Sequence, residues 1–156
     1  TINSANGFTQ GIRNITTDAE KRSLRFLHPD VQLDLSGFIK GYVLRAIRRL
    51  LEKEGITNAL INMGNSSIMA LGNHPHGKGW KINEHLIFNE CLTTSGNNTD
   101  SPWPVLNPHS RDVLQRNNPV SVRTSDPAVG EVLSTALYLS VGSGTQMNLN
   151  ANLLVS

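Results

Sequence analysis

Cysteine is almost missing from this 156-residue chain, and Cys91 is its sole representative. One thiol excludes an internal disulfide and a cysteine-based metal cluster within one chain, although it leaves the compartment open. Long apolar runs are missing too. No stretch of 18 apolar residues appears, which excludes a transmembrane helix, and the N-terminus shows neither a basic segment nor an apolar signal core. The chain begins without methionine and reads as a processed or excised fragment, so a targeting signal would have gone with what preceded it. Charge of one sign is scarce as well: charged residues are 17% and the net charge is +2, which gives no basis for a nucleic-acid partner. The densest basic group, Arg45, Arg48 and Arg49, falls on the polar side of a predicted helix and reads as a solvated face. Neither G-x-G-x-x-G nor G-x-x-x-x-G-K-[ST] occurs, so the chain is neither a dinucleotide-binding nor a P-loop protein. There is no internal repeat.

What remains suits a soluble globular protein, with 38% hydrophobic residues. The length predicts one domain, 1–156, in which the first 30 residues are poorly defined. Short strands are expected around Phe8 to Ile12 and Leu24 to Phe26, and His28-Pro29-Asp30 is a turn. Val31, Leu33 and Leu35 alternate as in a half-buried strand, and Ile39, Val43, Ile47 and Leu50 then recur at helical spacing. That helix should run from about 37 to 54, with Lys53 in its last turn and Gly55 as its stop. Residues 59–63 read as a buried strand, 64–66 as a tight turn and 67–71 as the returning strand. Further strands are expected at 80–82, 88–94 and 120–124, with a final edge strand within 147–156. Asp126-Pro127 should start a second helix reaching about Leu139. The elements predict an α+β domain with an antiparallel or mixed sheet and two main helices.

Three groups of residues could carry chemistry. The stretch Leu33-Asp-Leu-Ser-Gly-Phe-Ile-Lys-Gly-Tyr42 places a carboxylate, two glycines and a lysine at a strand-to-helix junction. There the backbone can approach a ligand, the first helical N–H groups can face an anion, and Lys40 adds a point charge. A plain N-cap with a solvated lysine is the alternative. Glu131 and Thr135 stand four apart and share a helix face, offering two oxygen donors of the kind that suits Mg²⁺. A surface acid and a hydroxyl returned to a backbone carbonyl would look the same. His74 and His76 lack a third ligand in their Gly/Pro loop and read as solvated. His109 sits in a turn that could present it to a ligand, but no serine or cysteine is placed to complete a triad.

Taken in order, four segments resemble the ApbE family, the FAD:protein FMN transferases. The family's D-L-G-G-[IV]-A-K-G is similar to Asp34-Leu-Ser-Gly-Phe-Ile-Lys-Gly41, and its strand ending in G-G-[DN] to Ala59-Leu-Ile-Asn-Met-Gly-Asn65. Its T-S-G resembles Thr94-Ser-Gly96, and its late E-A-D-A-L-A-T-A-L helix resembles Val129-Gly-Glu-Val-Leu-Ser-Thr-Ala-Leu137. The resemblance runs from about Val31 to Gly142 and covers mainly the family's C-terminal half. It implies an FAD site with Mg²⁺ against the pyrophosphate, from which FMN passes to a threonine or serine hydroxyl of an acceptor protein. It also implies that Asp34, Gly37, Lys40, Gly64, Asn65 and Ser95 line the flavin nucleotide. Glu131, Thr135 and the Ile39 carbonyl would hold the metal, and a periplasmic or cell-envelope location is favoured. The departures are specific. Glu131 replaces an aspartate, Ser36 a glycine, and Ile39 a small residue before the lysine. The family's H-[IL]-[IL]-D-P is Pro104-Val-Leu-Asn-Pro108 here, so a histidine and a carboxylate are lost. These changes imply reduced or lost transfer, with a non-catalytic flavin-binding or interaction domain as the alternative.

Overall fold

A computed structural model describes residues 11–96, 105–108, 112–114 and 118–140. The chain divides into two compact units, Thr1–Leu35 and Ser36–Ser156. Among the expected features, Phe8, Pro104, His109 and the stretch 147–156 lie outside the described residues.

In the first unit a 3₁₀ turn, Gly11–Asn14, leads into an antiparallel hairpin of β1 (Ile15–Asp18) and β2 (Ser23–Phe26). The carboxylate of Asp18 accepts from the Lys21 N–H at 2.9 Å and holds the turn, in which Arg22 takes a positive φ of 48°. Residues 31–35 are irregular rather than the expected strand. Alternation marks faces, but a strand forms only where a neighbour takes its backbone hydrogen bonds, and among the described residues β1 and β2 pair only with each other.

The second unit starts with α1 (Ser36–Lys53). Its end is a Schellman closure: Ile56 N–H donates to the Leu51 carbonyl at 2.8 Å, Gly55 N–H to that of Glu52 at 3.1 Å, and Gly55 supplies φ of +71°. Next come β3 (Ala59–Met63), β4 (Ser67–Leu71), the β5 (Trp80–Ile82) and β6 (His85–Ile87) hairpin, β7 (Cys91–Ser95), β8 (Val120–Thr124) and α2 (Pro127–Ser140). The main sheet is antiparallel in the order β3-β4-β7-β8, so the α+β expectation holds. β3 is an edge strand that alternates between half-buried and exposed, whereas β4, inside the sheet, is buried throughout. The strand expected at 88–94 starts only at Cys91, because Asn89 adopts a positive φ of 53° that no strand continues through.

The strand period of two sorts the core onto two faces. Met69 and Cys91 meet Leu44 of α1, with Ile61 and Met63 at the margin. Ile68, Ala70 and Leu92 point the other way, under Ile87, Trp80 and Ile82 of the β5–β6 hairpin. Val120 and Val122 carry Leu137 and Tyr138 of α2. α1 is rotated from the orientation its apolar spacing predicts: Gly41 and Leu44 are buried, while Ile39 and Leu50 remain 46% and 57% exposed. The cause is Gly41, which turns its bare backbone toward α2. A Cβ there would lie 2.4 Å from the Pro127 carbonyl oxygen and 2.6 Å from Glu131 Cγ. Among the described residues no helix is long and apolar enough to cross a membrane.

Candidate functional site

Antiparallel pairing of β4 with β7 brings the start of one strand beside the end of the other. Ser67 is opposite Thr93, and Thr94 N–H donates to the Ser66 carbonyl at 2.8 Å. Four segments converge at this end of the sheet: the β3–β4 turn, the end of β7, the first turns of α1 and one face of α2. The turn is built locally. Gly64 and Asn65 both have positive φ, 66° and 61°, and the Asn62 side chain bonds Asn65 twice at 2.8 Å.

Glu131 is the central group. It is 5% exposed, and Ser67 Oγ, itself buried, donates to its Oε1 at 2.5 Å. Burial pushes the Glu131 carboxyl up from its ordinary value, against the Ser67 hydrogen bond and the positive charge of Lys40, which pull it down. Among the described residues no cation lies within ion-pair distance of it, although Lys40 Nζ reaches the neighbouring Ser66 Oγ. One turn along α2, Thr135 Oγ1 shares a hydrogen bond of 3.1 Å with Ser95 Oγ, which also meets Ser134 Oγ at 2.8 Å. The surface-acid reading of Glu131 is therefore overturned, since the helix turns that face inward onto the sheet.

The fold thus brings Lys40, Ser95, Glu131 and Thr135 to one place, with Gly64 and Asn65 in the adjoining turn. Gly37 is exposed in the first turn of α1, with nothing within 4 Å of the position a Cβ would take, and Ile39 is half exposed two residues on. Asp34 belongs to the irregular end of the first unit. Ser66, Ser67 and Ser134 are the polar residues that sequence reading missed. The signal for Ser66 and Ser67 was a Ser-Ser pair following the glycine turn, and Ser134 had none. Asn107 lies in a short antiparallel pairing, its N–H donating to the Asp112 carbonyl at 2.9 Å beside the Leu106–Val113 bridge. His74 and His76 lie with ring centres 5.4 Å apart and planes tilted by 54°, and among the described residues no group of three metal-ligating side chains of the His, Cys, Asp or Glu type forms.

The arginines are not a solvated face. Arg45 forms a two-pronged pair with Asp126, at 3.0 and 2.7 Å, and Arg48 donates to the Ser125 carbonyl at 2.5 Å and to Cys91 Sγ at 3.4 Å. Only Arg49 is exposed as expected. The arginines could cross-link because rotation of α1 carried them to the start of α2. Cys91 stays a thiol, pushed up to about 12 by burial despite Arg48. Asp126 also caps α2, accepting from Ala128 N–H at 2.9 Å. Burial raises its carboxyl, but the Arg45 and Ala128 hydrogen bonds outweigh this and hold it below the ordinary carboxylate range. A group lowered on folding adds stability above its unfolded value and loses it as pH falls through the folded one. Asp126→Ala should cost about 1 kcal/mol at neutral pH from the cap, with the difference from the unsubstituted chain shrinking in acid. Urea titrations at pH 7 and pH 3 check this, and an equal loss at both would refute it.

The donors at Glu131 and Thr135 are all oxygen, and a buried carboxylate without an ion pair suits a hard dication. The model of the ApbE family matches residues 1–152. Among solved structures, flavin transferase ApbE from Vibrio cholerae superposes with a TM-score of 0.69 at 21% identity, over 82% of this chain and 46% of that one. Flavinyl transferase ApbE from Pseudomonas stutzeri, in its apo form, gives 0.68 at 21%, over 81% and 43%. The ApbE protein from Thermotoga maritima gives 0.69 at 18%, over 85% and 48%. Likeness at such identities establishes the fold, and the chain spans about half the length of these structures. No curated protein matches the sequence.

Proposed function

Because the chain belongs to the ApbE family, we propose that it is a flavin transferase-like protein that takes FAD and passes FMN to a threonine or serine hydroxyl of an acceptor protein. The observation that carries this reading is the convergence of Lys40, Ser66, Ser67, Ser95, Glu131 and Thr135 at one end of the sheet. In this assignment Lys40 neutralises phosphate charge, and the Gly64-Asn65 turn lets the backbone approach the nucleotide. Gly37 and Ser95 complete its lining. Glu131, Thr135 and the Ile39 carbonyl hold Mg²⁺, which when bound supplies charge neutralisation at the pyrophosphate. In the transfer the acceptor oxygen forms a bond to the FMN phosphorus, the anhydride bond breaks, AMP leaves and the hydroxyl proton must be taken up.

Asn107 cannot take that proton. Relative to a carboxylate at the same place, transfer is expected to be slower by roughly 10²–10⁴-fold. The test is incubation of the full-length protein with FAD, Mg²⁺ and a threonine-containing acceptor peptide, followed by in-gel flavin fluorescence. Covalent flavin that forms with Mg²⁺ but not when a chelator is present from the start is the expected result. FAD bound without transfer would instead make this a flavin-binding module, the reading that Asn107 favours. Failure to bind FAD would sink the nucleotide-site assignment.

A further inference from the structure

Glu131 has three rotatable side-chain bonds, yet both ends of that side chain are held. The notch at Gly41 admits the stem, since a Cβ there would come within 2.6 Å of Glu131 Cγ. The head is held by Ser67 Oγ at 2.5 Å from Oε1. Ser67 is fully buried as the first residue of β4, in register with Met63 on one side and Thr93 on the other. A hydroxyl on a paired strand is a fixed point, and a carboxylate offers about four lone-pair sites, so one bond taken by Ser67 orients the rest. We infer that Ser67 is a positioning residue, fixing the Glu131 carboxylate in the orientation in which it ligates a divalent cation. This rests on the metal assignment proposed above. Ser67 itself touches neither cation nor nucleotide.

The test is Mn²⁺ binding, as a spectroscopic stand-in for Mg²⁺, followed by loss of the free-ion EPR signal in the 156-residue chain. Ser67→Ala should raise the dissociation constant about 10–100-fold, the usual effect of losing a partner that orients a ligand. Glu131→Asp shortens the side chain by one methylene and takes it out of reach of Ser67. Adding Ser67→Ala to that background should then change binding by less than ~2-fold, a non-additivity that a purely structural serine would not produce. Should Ser67→Ala fail to fold, the near-isosteric Ser67→Cys, with its weak S–H donor, takes its place with a smaller weakening expected. Tight binding by the unsubstituted chain with no change in the Ser67 variant would overturn this inference and leave the metal site standing. No binding by the unsubstituted chain would overturn both.

Discussion

Gly41→Ala is expected to lower the stability of the second unit by about 3 kcal/mol, a fall of roughly 10 °C in melting temperature. Helix propensity alone predicts the opposite sign, since alanine in a helix interior is favoured over glycine by about 1 kcal/mol. Contact decides between the two. The new Cβ would meet the Pro127 carbonyl oxygen at 2.4 Å and the Ala128 Cα at 2.8 Å, both backbone atoms that cannot rotate away. α1 and α2 must separate, and the Arg45–Asp126 and Ser67–Glu131 bonds loosen with them. Gly37→Ala is the matched control in the same helix, with nothing within 4 Å of its Cβ position. It should leave the melting temperature unchanged or slightly raised. Equal melting of both variants by circular dichroism would show that the close approach of the helices is not what limits stability.

Glu131→Ala should weaken Mg²⁺ binding by more than about 100-fold, since losing even an outer partner of a metal ligand costs 10–100-fold. The side chain is the one buried carboxylate among the described residues, so nothing nearby can substitute for it. Glu131→Gln separates charge from shape, keeping an oxygen for Ser67 but removing the negative charge, and should bind almost as poorly as the alanine variant. Isothermal titration with MgCl₂ in the presence of FAD measures both. A dissociation constant within threefold of the unsubstituted chain for either variant would remove Glu131 from the metal site.

Much of the frame was legible because it is local. The β3–β4 turn at Gly64-Asn65, the stop at Gly55 and the start of α2 at Asp126-Pro127 each depend on residues within about one turn of one another. The four family-like segments also stood in readable order. The orientation of α1 was not legible. Its apolar spacing was right for Ile47, which packs beside Leu44, but wrong for Ile39 and Leu50, which are exposed, because a glycine notch contributes nothing to a hydrophobic pattern. The arginines followed that error: Arg45 and Arg48 look like solvent-facing charge until the helix is turned toward Ser125 and Asp126.

The sequence by itself determined the fold class and the family, and it put Glu131 and Thr135 together, because spacing of four on a helix guarantees a shared face. Only the tertiary structure decided that this face is turned inward and what holds it there. Ser67 and Glu131 are 64 positions apart, and their meeting is set by the β4–β7 register and by the depth to which α2 sinks over Gly41. Such contacts leave no periodic trace in the chain, since register and helix approach are properties of packed surfaces rather than of any local run of residues.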